Sequence, residues 1–232
     1  MPFAAGAIIV MAKYPQAGKV KTRLMPDLSA HLAAKVHRVF LQHCMARLSE
    51  LRAAELVLCF DPVEKSDALR DLFDNLAPIT FLPQVDGDLG VRLGAAAREM
   101  SSRHQRLLFL GVDSPDLPLA HLKKAAELLD RSEVSLSPTD DGGFWSLGLQ
   151  NHVNAQKLLA DIPWSSGREA MALLRSAEAL GHTAVTGPAW DDVDRPADLR
   201  RLISRLVQSS ENVDRRLLSN LRHVLPVEWF SC

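Results

Sequence analysis

The sequence predicts an α/β protein built on a doubly wound, mostly parallel sheet with helices on both faces. Short apolar runs recur along the chain, amphipathic stretches of helical spacing separate them, and the charged or glycine-rich segments follow directly after the runs. Runs of this kind suit strands buried on both faces, and their alternation with helices favours parallel pairing through crossovers. Ala7–Met11 is the first expected strand, within an apolar stretch Phe3–Ala12 that lacks the basic start and cleavage site of a signal peptide. A helix over Ser29–Leu51 follows, with Leu32, Val36, Val39, Phe40, Cys44 and Leu48 on one face. Leu56–Phe60 and Ile79–Leu82 are the next strands, and a helix begins at Leu89. Leu107–Leu110 leads to a helix that opens at Pro118 and buries Ala125, Leu128 and Leu129. Val134–Ser137, Phe144–Leu149 and Thr183–Thr186 are the later strands, and Pro196 sits near the first turn of a further helix. Gln208–Asn212 reads as a linker before a last amphipathic segment, Val213–Leu225, whose Val213, Leu217, Leu218, Leu221, Val224 and Leu225 form one apolar stripe.

With 232 residues, 47% hydrophobic and 24% charged, the chain has material for one large domain with a small appendage. The expected division is a main domain over 1–207 and a helical extension over 208–232. The extension should pack onto the domain or onto a second copy in a homodimer, and take no part in the chemistry. A formal net charge of −1 excludes binding of nucleic acid or acidic membrane by bulk electrostatics, so any anion must meet a local positive cluster. Cys44, Cys59 and Cys232 form no C-x-x-C, which removes zinc-ribbon and thioredoxin-type chemistry. The first two lie in apolar runs, as small buried hydrophobes do. No segment is long and apolar enough to span a bilayer, and the cytoplasm is the expected compartment.

Four loops after strands carry the candidate chemistry. In the first, Lys13, Lys19, Lys21 and Arg23 gather around Gly18 and Thr22. It is not a Walker A loop, because Val20 follows Gly18-Lys19 where that motif has Ser or Thr. A glycine that frees backbone N–H groups, set among cations, suits phosphate; a solvated basic turn is the plainer alternative. In the second, Asp113 follows an apolar strand and is a candidate ligand for a hard cation, while Asp116 is the expected helix cap. In the third, Asp141-Gly142-Gly143 either admits a substrate close to the backbone or is a simple hairpin turn. In the fourth, Asp191, Asp192 and Asp194 repel one another unless a cation joins them, and the local sequence shows no obvious basic partner. Asp198 belongs to the helix start, leaving Asp192 or Asp194 to complete a metal site with Asp113. His31, His37 and His43 are six residues apart and scatter around their helix, as surface or satisfied residues rather than a row of ligands. Neither G-x-S-x-G nor H-E-x-x-H is present.

Five motifs stand in order: Lys-x-Pro-x-x-Gly-x-Val-Lys-Thr-Arg-Leu (Lys13 to Leu24), Gln-x-x-Gly-Asp-Leu-Gly-x-Arg (Gln84 to Arg92), Gly-x-Asp-x-Pro-x-Leu (Gly111 to Leu117), Asp-Gly-Gly-Phe-Trp-x-Leu-Gly-Leu (Asp141 to Leu149) and Asp-Val-Asp-x-Pro-x-Asp-Leu (Asp192 to Leu199). This order resembles the DUF2064 group, GT-A-fold proteins of the nucleotide-diphospho-sugar transferase superfamily, and is similar to MobA-like and CofC-like nucleotidyltransferases. The resemblance covers about residues 6–203. Ser137-Pro138 replaces the usual Gly-Pro, and Trp145 follows Phe144 where a tyrosine-containing pair is common. The resemblance implies a Rossmann-like sheet with one antiparallel strand and a nucleotide over the first loop. It implies binding by Lys13, Gly18, Lys21, Thr22 and Arg23 beside Gln84, Asp88 and Arg92, with Asp88 also placed to cap the helix at Leu89. Lys21, Arg23 and Asp113 would be catalytic. Mg²⁺ or Mn²⁺ would sit on Asp113 with Asp192 and Asp194, Asp194 being preferred as the second acid. Asp141, Gly142 and Gly143 would border a small-molecule acceptor.

Three functions follow. In the first, a nucleoside triphosphate passes its nucleotidyl group to a small acceptor, which the dense Lys/Arg loop favours. In the second, a nucleotide-sugar donates its sugar, the reaction after which the family is often labelled. Both require a divalent cation to neutralise charge on the leaving group. The third is a nucleotide-binding module without catalysis, whose mark would be a missing metal acid or basic loop; neither is missing here.

Overall fold

A computed structural model describes residues 6–51, 55–76 and 78–230 of the chain. Phe3 to Ala5 of the first apolar stretch, and Cys232, lie outside the described residues. In chain order the elements are β1 (Gly6–Lys13), α1 (Ala30–Ser49), β2 (Glu55–Asp61), α2 (Ser66–Asp71), β3 (Thr80–Pro83), α3 (Leu89–Ser101), β4 (Arg106–Leu110), α4 (Leu119–Leu128), β5 (Val134–Pro138), β6 (Phe144–Gln150), α5 (Ala155–Leu159), α6 (Glu169–Ala179), β7 (Ala184–Thr186), α7 (Pro196–Gln208) and α8 (Asn212–Arg222). The strands form one sheet in the order β3-β2-β1-β4-β6-β5-β7. Every pairing is parallel except those of β6, which runs antiparallel to both β4 and β5. From β1 the chain winds outward to β2 and β3, then returns to place β4 on the other side. The order therefore reverses between β1 and β4, the point where open α/β sheets bind ligands.

The continuous apolar runs are explained by burial on both faces. Ile9, Val57, Cys59 and Phe109 pack with Leu93 and Met100 of α3, Leu158 of α5 and Leu173 of α6. Their neighbours Ile8, Val10, Leu58 and Leu108 point the other way, onto Leu41 and Met45 of α1 and Ala125 of α4. A register slip of one residue would exchange these faces and expose the helices' apolar sides, so the pairing is strongly specified. Ser29 caps α1, its hydroxyl accepting from Leu32 N at 3.3 Å. This helix buries a second side as well: Val36 and Phe40 meet Val193, Leu199 and Leu202 of the α7 region and Leu217 and Leu221 of α8. The stripe on the last segment thus closes on its own chain. No helix among the described residues is long and apolar enough to cross a membrane.

Two polar residues depart from their sequence reading. Asp116 does not cap α4, whose N-cap is Pro118. It is buried and accepts from Arg205 Nε of α7 at 2.7 Å and from Trp190 Nε1 at 3.3 Å, pinning α7 to the loop after β4. His43 is buried, with Nε2 lacking a partner, and burial beside Arg47 and Arg216 pushes its pKa down to about 3. The folded state keeps this imidazole neutral while the unfolded chain protonates near pH 6.5, so stability is complete above that pH and falls below it. At pH 5 the loss attributable to His43 should be about 2 kcal/mol, and urea denaturation of His43→Leu should lack that increment. Equal pH dependence in the two proteins would contradict the assignment.

Candidate active site

The loops after β1 and β4 meet at the reversal point and frame a cavity of about 520 Å³. Gly18, at φ +75°, lets the first loop turn back, and buried Val20 and Leu24 anchor it from below. Lys13, Lys19, Lys21, Thr22 and Arg23 consequently line one cavity, with Gln84 and Arg92 on the far wall and Asp113 and Asp194 at the edge. Most residues expected to meet a nucleotide are therefore neighbours, although they come from distant parts of the chain.

Lys21 has a different environment from the other cations. Its side chain is only 3% exposed, and its backbone adopts the left-handed conformation at φ +47°, which L-residues enter at some cost. The ammonium donates to Asp113 Oδ1 at 2.6 Å, Val193 O at 2.6 Å and Asp194 Oδ1 at 3.2 Å. Desolvation alone would lower the Lys21 pKa, but the charges of Asp113 and Asp194 outweigh it and leave the ammonium above its ordinary value. For Asp113, desolvation pushes upward while Lys21, and more weakly His37, pull the carboxyl below the ordinary range. The basic partner that the acidic segment lacks locally in sequence is thus Lys21, 173 positions away from Asp194. Arg23 NH1 reaches the other oxygen of Asp194 at 3.0 Å.

The carboxylates divide accordingly. Asp113 rests on Lys21, whereas Asp141, Asp192 and Asp194 each offer an oxygen within 4.8 Å of the others. Burial and the charges of Asp194, Asp141 and Asp113 push the Asp192 pKa up to about 6. Such crowding among oxygen donors fits a hard divalent cation, which would relieve the repulsion. Asp141 enters this group from the loop expected to border an acceptor.

Several motif residues have structural partners. Asp88 caps α3, its Oδ1 accepting from Val91 N at 2.9 Å. Gln84 donates through Nε2 to Cys59 O at 2.8 Å and accepts from Arg92 NH1 at 2.9 Å, and Arg92 also pairs with Asp61 at 3.2 Å. Together they brace the ends of β2 and β3 at the cavity wall. Asp141 Oδ1 accepts from Thr139 Oγ1 at 2.7 Å and Gly143 N at 3.0 Å, making the turn self-supporting. Gly142 does not leave room for a substrate, because Gly167 O fills the place a Cβ would take, at 1.9 Å. With φ at +87° as well, Gly142→Ala should cost about 2–4 kcal/mol of stability by chemical denaturation; an unchanged midpoint would reopen the substrate reading. Spacing also misplaced His37. It is buried, lines the cavity and donates from Nε2 to Lys13 O at 2.9 Å, leaving Nδ1 unpartnered. Its pKa is lowered, chiefly by burial. A helical periodicity cannot show that a strand end supplies its acceptor.

Comparison with known proteins agrees with this architecture. No curated protein matches the chain. Among solved structures, the "putative nucleotide-diphospho-sugar transferase from Desulfovibrio desulfuricans G20" is 25% identical, with a TM-score of 0.82 over 95% of this chain and 98% of that one. A 4-diphosphocytidyl-2C-methyl-D-erythritol synthase from Anaerococcus prevotii is 9% identical, with a TM-score of 0.54 over 94% and 98% of the two chains. CMP:2-keto-3-deoxy-manno-octonic acid synthetase complexed with CTP is 11% identical, with a TM-score of 0.55 over 88% and 98%. The last two share the fold. The DUF2064 model, described as "Uncharacterized protein conserved in bacteria (DUF2064)", matches residues 44–166, just over half of the sequence. Five ordered motifs, the sheet they organise and this match make the chain a member of the DUF2064 family.

Proposed function

We propose that the protein is a divalent-metal-dependent nucleotidyltransferase acting on a nucleoside triphosphate and a small acceptor. The observation that carries this reading is the charge of the cleft. Lys13, Lys19, Lys21, Arg23 and Arg92 line it against only Asp113 and Asp194. Lys21, Arg23 and Arg92 already have carboxylate partners, whereas Lys13 and Lys19 make no ion pair among the described residues. Those two are free to hold phosphate oxygens, with Thr22 beside them as a hydroxyl donor. Lys21 favours the ionised form of Asp113 and holds Asp194 in place by a hydrogen bond, and Arg23 adds a second cation at the cleft mouth. Mg²⁺ or Mn²⁺ held by Asp141, Asp192 and Asp194 would supply neutralisation of charge on the departing pyrophosphate.

The named activity of the 25% identical Desulfovibrio structure supports a second reading, sugar transfer from a nucleoside diphosphate donor. A thermal-shift series separates them. Nucleoside triphosphates with Mg²⁺ or Mn²⁺ should stabilise the ligand-free protein by about 2.7 kcal/mol at a concentration 100 times Kd, and nucleotide-sugars at the same concentration should stabilise it less. Pyrophosphate release on adding acceptor then identifies nucleotidyl transfer. Stabilisation by nucleotide-sugars alone would establish the second reading, and metal-dependent binding without turnover of any donor would leave a binding module.

A further inference from the structure

A second cavity, of about 380 Å³, adjoins the basic cleft at Asp113. Asp113 lines both spaces, and Asp192 reaches the second while Asp194 reaches the first. The chemistry of the two differs. Leu48, Leu51, Leu117, Leu122 and Phe144 wall the second cavity, together with buried Trp145. Its lining acids are Asp113 and Asp192 at the junction and Glu50 and Glu211 at the rim. Among the described residues Arg47 is the lone lining cation, and two of its guanidinium nitrogens donate to Pro115 O at 3.0 Å and Leu117 O at 2.7 Å. Arg216 stands outside this lining and approaches Glu50 at 3.6 Å on the exposed surface.

We propose that this second cavity is the acceptor subsite and that it takes an uncharged or cationic small molecule with an apolar body and a hydroxyl nucleophile. The assignment rests on the transferase reading above. An apolar wall removes hydrocarbon or aromatic surface from water, while a lining richer in acids than in cations repels a phosphate or carboxylate acceptor. The shared edge at Asp113 then sets the hydroxyl beside the donor's phosphates. In the transfer, the hydroxyl oxygen forms a bond to the α-phosphorus and the bond from that phosphorus to the bridging oxygen breaks. Pyrophosphate leaves with the electron pair, and the hydroxyl proton is released to solvent.

The cavity also gives the C-terminal segment a part in the site. Glu211 immediately precedes α8, Val213 lies on it, and both line this space. On this proposal residues after Gln208 border the acceptor, because the packing of α8 against α1 carries its first turn to the cavity.

Ligand-observed NMR on the full chain, without nucleotide, tests the proposal with benzyl alcohol and benzyl phosphate as probes. Benzyl alcohol should bind the wild type, and benzyl phosphate should bind about tenfold more weakly or not at all. Val213→Trp, which fills the cavity, should weaken the alcohol by about tenfold while leaving triphosphate affinity unchanged. Val213→Ala, which cannot overpack, should shift preference toward the larger 2-naphthalenemethanol by about threefold and keeps the test valid if the tryptophan variant misfolds. Equal binding of alcohol and phosphate, or alcohol binding indifferent to both Val213 variants, overturns the proposal. A wild type that binds the alcohol but no nucleotide overturns the transferase reading and with it the acceptor role, while the ligand class of the cavity stands.

Discussion

Lys21→Met should reduce turnover by about 10³-fold, far beyond the effect of any other cation in the first loop. The reason is position. Lys21 bonds simultaneously to Asp113, Asp194 and the Val193 carbonyl from a side chain that is 3% exposed. Methionine preserves the length and apolar stem but leaves Asp113 without its cation and Asp194 with Arg23 alone. Removing one member of a buried pair generally costs about 3–5 kcal/mol. Asp113 and Asp194 retain solvent access, so the stability loss here should be nearer about 2 kcal/mol. Lys21→Arg should not restore activity, because the planar guanidinium cannot reproduce three convergent contacts around a point charge. Arg23, by contrast, is 56% exposed, and Arg23→Ala should weaken triphosphate binding by about 1.5 kcal/mol. Steady-state kinetics and urea denaturation on the same preparations check both parts. Turnover in Lys21→Met within tenfold of wild type would remove Lys21 from the centre of the mechanism.

Asp192→Asn should abolish the enhancement of triphosphate binding by Mg²⁺ or Mn²⁺ and lower turnover by about 10²-fold or more. It removes one of the three crowded carboxylates while preserving size, and it relieves the repulsion that raises the Asp192 pKa. The metal-free variant should accordingly be at least as stable as the wild type, which distinguishes loss of a ligand from loss of the fold. Asp113→Asn provides the contrast. Its carboxylate faces Lys21 outside the group of three, so it should impair turnover while retaining more of the metal enhancement. Calorimetric titrations with and without each metal measure the difference. Full metal enhancement in folded Asp192→Asn would exclude it as a ligand, and complete loss in Asp113→Asn would return the metal to the Asp113 side.

The sequence by itself determined the layered α/β architecture, because apolar runs buried on two faces and helices with one apolar stripe are properties of single segments. It also determined which loops are chemically loaded, since a parallel strand delivers its following residues to one edge of the sheet. Asp88 before Leu89 and Asp198 after Pro196 were legible for a similar reason: both accept from backbone groups within four residues. What only the tertiary structure decided is how charges from separate loops are paired. No local pattern shows that Lys21 serves Asp113 and Asp194, that Asp116 holds Arg205 of α7, or that Asp141 joins Asp192 and Asp194. Gly142 reads from sequence as a place for a ligand because the missing side chain is visible there, whereas Gly167, which occupies the space, is brought in by packing. The last helix follows the same rule: its stripe announces burial, but only its seat against α1 and α7 carries Val213 to a cavity beside Asp113. Helices and strands follow from interactions near in sequence, while an ionised cluster depends on distances that the finished fold sets.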